Sequence, residues 1–146
     1  MTVKIKKLND NFKMPVKAHK DDFCYDVFAA SEEEIAPGVW KYGLGFALQL
    51  SPVANIVTIY DIDFRSRSSI HKTGMVLSNS VGTIDAGYTG EISAVFYHVL
   101  PNLPRYKVGD KIGQIKIGAT LPMDFRLVES LEGTERGTGG FGSSGD

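Results

Sequence analysis

Glycine and proline cut this chain into pieces too short for most helices. Its 146 residues hold 16 glycines and 6 prolines, spread along the length as punctuation. Between them lie short runs with the alternation of β-strands. Phe46, Leu48 and Leu50 alternate with Ala47 and Gln49. Asn55-Ile-Val-Thr-Ile-Tyr60 is β-branched and aromatic, and Ile92-Ser-Ala-Val-Phe-Tyr-His-Val99 is the strongest strand signal. In Ile112-Gly-Gln-Ile-Lys-Ile117, Ile115 and Ile117 share one face and Gln114 and Lys116 the other. Period-two patterns of this composition favour strands. No longer window carries a helical period. Many short strands between turns specify an all-β fold, a sandwich or a closed barrel.

Glycine crowds the C-terminus, in Glu135-Arg-Gly-Thr-Gly-Gly-Phe-Gly-Ser-Ser-Gly145. A segment this rich in glycine loses much conformational entropy on ordering. Yet it carries Arg136, Phe141, Ser143 and Ser144, a set suited to closing over a phosphorylated base. The division expected is a globular body over residues 1–131 and a flexible flap over 132–146.

Charge and cysteine narrow the classes. The formal net charge is −1, so no basic field favours long nucleic acid. Cys24 is the only cysteine. An intrachain disulfide is excluded, and a reducing, cytoplasmic setting is expected. The N-terminal stretch lacks an apolar h-region, and no run approaches the roughly 20 apolar residues that span a bilayer. Glu32-Glu33-Glu34 reads as a solvated loop, and Trp40 as core.

Two stretches offer chemistry. Ser78 to Glu91 brackets Ile84-Asp85 with Gly82, Gly87 and Gly90, which reads as a β-hairpin. Backbone groups there can read a base edge, and Asp85 suits a general base. A turn aspartate that caps its own hairpin is the plain alternative. Phe64 to Gly74 mixes Arg65, Arg67, His71 and Lys72 with Ser66, Ser68 and Ser69. A serine-capped short helix there, ended by Gly74, would leave N–H groups for anions. An exposed basic turn explains the same residues. Asp26 could orient a hydrated Mg²⁺, which takes only one or two carboxylates, and the Gln114 amide could donate to phosphate. No zinc spacing, nucleophile elbow, Walker loop or dinucleotide fingerprint is present.

Taken in order, five segments resemble the motifs of the trimeric dUTP diphosphatase (dUTPase) family. They are Tyr25-Asp-Val-Phe-Ala29, Arg67-Ser-Ser69, Asn79 through Glu91, Gly109-Asp-Lys-Ile-Gly-Gln114 and Arg136 to Gly145. The resemblance implies a jelly-roll-like β-barrel and a homotrimer with active sites shared between subunits. It implies hydrolysis of dUTP to dUMP and pyrophosphate with Mg²⁺, keeping uracil out of DNA and supplying dUMP for dTMP synthesis. By the same resemblance, Asp85 activates the attacking water. Asn79, Gly82, Thr83 and Ile84 bind the uracil edge, and Tyr88 packs under the deoxyribose. Arg67, Ser68, Ser69 and Gln114 hold the phosphates. Arg136, Gly142, Ser143 and Ser144 clamp the phosphate end, Phe141 stacks on uracil, and Asp26 reaches the metal through water. Neither nucleic acid nor membrane is an implied partner.

The chain departs from the pattern at Ser66 (usually proline), Cys24 (usually glycine) and Gly113 (usually alanine, read as a small change). A dCTP deaminase-like enzyme shares the implied fold but places a glutamate where Val95 stands here. A nucleotide-binding protein without turnover is the non-enzymatic rival, opposed by Asp85 and the complete tail.

Overall fold

The computed structural model describes residues 2–51, 59–79 and 81–139. The fold is all-β, with ten strands and one short 3-10 helix among the described residues: β1 Thr2–Lys7, β2 Tyr25–Phe28, β3 Ser31–Ala36, β4 Val39–Gly43, β5 Phe46–Ser51, β6 Ile59–Ser66, the 3-10 helix Ser68–Lys72, β7 Met75–Leu77, β8 Gly82–Asp85, β9 Ser93–His98 and β10 Lys111–Thr120. Two four-stranded sheets, β2-β10-β6-β8 and β3-β4-β9-β7, are joined by a two-stranded ribbon, β1-β5. Every strand pairing is antiparallel. The result is a jelly-roll-like sandwich whose sheets do not close into one continuous barrel.

The core follows from the strand alternation. Tyr42, Leu44, Phe46, Phe64, Ile92, Phe96 and Ile112 are fully enclosed. Their rings meet edge-to-face: Phe96 lies 5.8 Å from Tyr42 and 6.2 Å from Phe64. That geometry adds to the gain from burial alone. Trp40 packs at the core's rim, with the Arg105 guanidinium 3.5 Å from its ring centre. Of the Asn55–Tyr60 run, residues 55–58 lie outside the described residues. Ile59 and Tyr60 open β6.

Several local readings change. Glu32-Glu33-Glu34 is strand β3, not a loop. Glu32 turns toward Arg105 at 3.0 Å and Lys107 at 3.7 Å, and accepts the Val108 N–H. The expected hairpin around Asp85 is also absent. Strand β8 pairs with β6, whereas β9 pairs with β4 and β7 in the other sheet. Ile92 makes the crossing: it is buried, and exchanges backbone hydrogen bonds with Leu44 and Phe46. Burying that side chain pulls the connection into the core rather than back along β8.

Arg67, with extended backbone angles, is the N-cap of the 3-10 helix, and no side chain caps it. Thr73 ends it instead of Gly74, and the Thr73 hydroxyl donates to Ile70 O at 2.8 Å. Gly113 is more than a small change: a Cβ there would stand 2.2 Å from Phe64 Cζ. Ser66 lies in register with Gly113 and lengthens β6 by one position. A proline there would remove an N–H from the ladder.

Candidate functional site

The expected site residues fall into separate groups. The first gathers on one row of the β2-β10-β6 sheet. Gln114 lies opposite Asp26 on one side and Arg65 on the other. Directly opposed residues in antiparallel strands share a face. The Asp26 carboxylate is 2.8 Å from Lys111 Nζ. Arg67, Ser68 and Ser69 continue from the end of β6, where Ile70 N–H donates to Arg67 O at 3.0 Å and closes the first 3-10 turn. Next to this row, Asp63 is buried and meets Arg65 at 3.1 Å and Lys116 at 3.3 Å. Burial alone would raise the Asp63 pKa, but hydrogen bonds from Arg65 and Lys116 outweigh it and hold the carboxyl below its ordinary value. The net result is a braced, charge-rich surface at one end of the sheet.

The second group surrounds a cavity of about 410 Å³ lined by Thr83, Ile84, Asp85 and Tyr88, with Lys41, Glu91, Ile92 and Ser93. Among the described residues, strand β8 is the sheet's edge, paired only to β6. One side of its backbone is therefore free to meet a ligand edge. Tyr88 folds back so that its hydroxyl donates to Glu91 O at 3.0 Å. Gly90 lies beneath it, and a Cβ there would stand 2.5 Å from that hydroxyl and push the ring aside. Glu91 is itself occupied, accepting the Gly45 N–H at 2.9 Å. Gly82 is buried, and a Cβ there would stand 3.4 Å from the Asn79 amide nitrogen.

Register fixes how far apart the two groups stand. Asp85 lies opposite Asp61 on β6, and Arg67 follows the far end of that strand. At about 3.3 Å per residue, six residues of extended chain separate the groups by roughly 20 Å. One chain does not bring Asp85 to Arg67 or Gln114.

Arg136 joins neither group. It sits in a turn where its Nε donates to Gly139 O at 3.0 Å. Phe141, Gly142, Ser143 and Ser144 lie outside the described residues.

No group of three or more His, Cys, Asp or Glu converges among the described residues. One carboxylate, Asp26, beside the Gln114 amide is a donor set that fits an ion keeping most of its water and taking other ligands from phosphate.

Sequence reasoning missed Lys41, Glu91, Ile92 and Ser93 as cavity walls and Lys111 as the Asp26 partner. Lys111 stood inside the fourth segment, 85 residues from Asp26, and only the pairing of β10 with β2 brings the two together. Lys41 becomes visible only once β4 is known to pair with β9.

Comparison with known proteins converges on one group. The sequence profile of the dUTPase family matches residues 10–145. The chain is 36% identical to a deoxyuridine 5'-triphosphate nucleotidohydrolase of Corynebacterium diphtheriae, over 98% of this chain and 92% of that protein. It is 34% identical to one of Clostridium tetani, over 99% of this chain and 97% of the relative. Among solved structures, a Staphylococcus bacteriophage 80alpha dUTPase variant with dUpNHpp superposes with a TM-score of 0.80 at 26% identity, over 99% of each chain. The dUTPase of phage phi11 of S. aureus shares the fold with a TM-score of 0.71 at 23% identity, over 89% of this chain and 98% of that one. Its structure is described as revealing the coordination of a structural Mg(II) ion.

Proposed function

This chain belongs to the dUTPase family, and on that premise we propose that it hydrolyses dUTP to dUMP and pyrophosphate by water attack on the α-phosphate. The observation that carries the reading is the cavity at the edge of β8, where a free backbone edge, Tyr88 and the Asp85 carboxylate share one wall. Asn79, Gly82, Thr83 and Ile84 bind the uracil edge there. Tyr88 packs under the deoxyribose, leaving no room for a 2′-hydroxyl. Asp85 accepts the proton of the attacking water, a role for which geometry comes first.

Arg67, Ser68, Ser69 and Gln114 hold the phosphate chain. Asp26 holds a hydrated Mg²⁺ through water, and the ion, when bound, offsets phosphate charge. Arg136 and the tail residues Phe141, Gly142, Ser143 and Ser144 close the site. Positioning and charge neutralisation are most of what phosphoryl chemistry asks of a protein.

The separation of the two groups supports a site shared between chains of a homotrimer. So does the segment after β10, where Leu121, Met123, Phe125 and Leu127 alternate along the sequence and stand exposed. A row of large apolar side chains in water marks an interaction surface. A flap over residues 132–146 then reaches a neighbour's site. A cytoplasmic location completes the reading, supported by the free thiol of Cys24. No helix among the described residues is long and apolar enough to cross a membrane. In the cell the activity would keep uracil out of DNA and supply dUMP.

Pyrophosphate release from dUTP, with dTTP, dCTP and UTP in parallel, tests the reading. Turnover confined to dUTP is expected; absence of release from dUTP would overturn it. Replacing Asp85→Asn should keep nucleotide affinity and lower kcat by roughly 10²–10⁴. Near-normal kcat in that variant would remove Asp85 from the chemistry.

A further inference from the structure

We propose that Lys41 is a substrate-binding residue of the cavity beside β8, its ammonium group meeting the α-phosphate next to Asp85, which rests on the reading of that cavity as the nucleoside end of a dUTP site. The cavity wall is unbalanced in charge. Lys41 is the one cation among the lining residues, where Asp85 and Glu91 supply two carboxylates. Arg67, the cation named for the phosphate chain, stands roughly 20 Å along β6 on the same chain.

Strand alternation fixes the side of the sheet on which Lys41 lies. Tyr42 is fully buried in the core, so Lys41 and Gly43 on either side of it project from the opposite face. Ser93 lies across from Gly43 on β9 and shares that face. Glu91 reaches over Gly43 there, since a Cβ on Gly43 would stand 2.5 Å from Glu91 Oε1. The same oxygen accepts the Gly45 N–H at 2.9 Å, which holds the carboxylate in place. Glu33 stands directly opposite Lys41 on β3. Lys41 is exposed, and it forms no ion pair with Glu33, Glu91 or any other carboxylate among the described residues.

The reaction needs a cation at this place. A phosphate attacked by water held at Asp85 must come within a few ångströms of that carboxylate. Bringing anion to anion costs free energy, and a cation at hand offsets it. The cavity holds only about 410 Å³, and lysine carries its charge on a flexible four-carbon stem. From the wall, Lys41 reaches an oxygen of a phosphate seated at Asp85. The contact puts one phosphate-binding cation on the same chain as the carboxylate that activates water. It acts on the α-phosphate, the one phosphate that dUTP and dUMP share.

Deoxyuridine and dUMP differ only by that phosphate, so the pair of them tests the contact. The affinities of wild type, Lys41→Met and Lys41→Arg for each would be measured at low salt, with thermal unfolding of the free proteins alongside. Lys41→Met should keep the wild-type Tm, because the side chain is exposed. Its Kd for dUMP should rise about tenfold, the scale of one hydrogen bond between charged groups. Its Kd for deoxyuridine should not move. Lys41→Arg keeps the charge and should bind dUMP much as wild type does. An unchanged Kd for dUMP in Lys41→Met would overturn the proposal. So would an equal loss for dUMP and deoxyuridine, which would mean that the side chain only shapes the cavity. If wild type binds neither compound, the nucleotide reading of the cavity fails, and the role of Lys41 falls with it for that separate reason.

Discussion

Residues 2–120 and residues 121–139 contrast in how they treat apolar side chains. The first stretch encloses a core, in which Phe46, Phe64 and Phe96 have almost no contact with water, although Phe23 and Met14 stand exposed. In the second, apolar side chains stand in solvent, with Leu121 76% and Phe125 87% exposed. Strand β10 ends at Thr120, and no strand or helix follows among the described residues. The lesson is that the sandwich builds a core of its own, while Leu121, Met123, Phe125 and Leu127 in the segment after it are left in solvent. The candidate site divides in the same way. The cavity beside β8, proposed for the base, and the row proposed for phosphate are separated by roughly 20 Å of strand.

The largest effect should come from the tail. Deleting residues 135–146 should leave a folded, associated protein with little dUTP turnover, read by calorimetry and pyrophosphate release. An unfolded or fully active truncation would erase the contrast. Next is the core of the body. Phe96→Ala should cost about 3–5 kcal/mol in denaturant unfolding, because three aromatic neighbours lose their partner.

Smaller, and dependent on pH, is the contribution of the ion pairs that brace the body. Burial would raise the pKa of Glu32 and Asp63, but Arg105 and Lys107 beside the first, and Arg65 and Lys116 beside the second, hold both below their ordinary values. A depressed carboxyl stabilises the fold above its unfolded pKa of about 4, and that contribution is lost as pH falls through the folded value. Acid titration of Tm should therefore show a steeper fall below about pH 4 in wild type than in Asp63→Asn. Parallel curves would dismiss the bracing. The smallest effect on the body should come from Phe125→Ser. Unfolding of the sandwich should be almost unchanged, while sedimentation shows weaker association. A large loss of body stability would mean that this side chain packs within its own chain.

Much of this was legible in the residues, and what was not has a physical reason. The run Ile92–Val99 gave β9 because alternation is a local property. The switch of sheets between β8 and β9 was hidden because pairing partners are set by distant strands. Glu32 looked like part of a solvated loop since its main partner, Arg105, lies 73 residues away. Gly113 looked interchangeable with alanine because the Phe64 ring that forbids a Cβ belongs to another strand. At the site, the ordered motifs marked Asp85 and Tyr88, which share one cavity, but gave no sign that Lys41 lines it too.

The most direct test of a shared dUTP-hydrolysing site is subunit mixing. Asp85→Asn and Arg67→Met proteins, each inactive alone, would be unfolded together, refolded at equal ratio and assayed for pyrophosphate release. If Asp85 and Arg67 of one site come from different chains, roughly a quarter of the sites in a random mixture keep both and activity returns. No recovery in mixed trimers would place both residues of a site on the same chain and contradict the account.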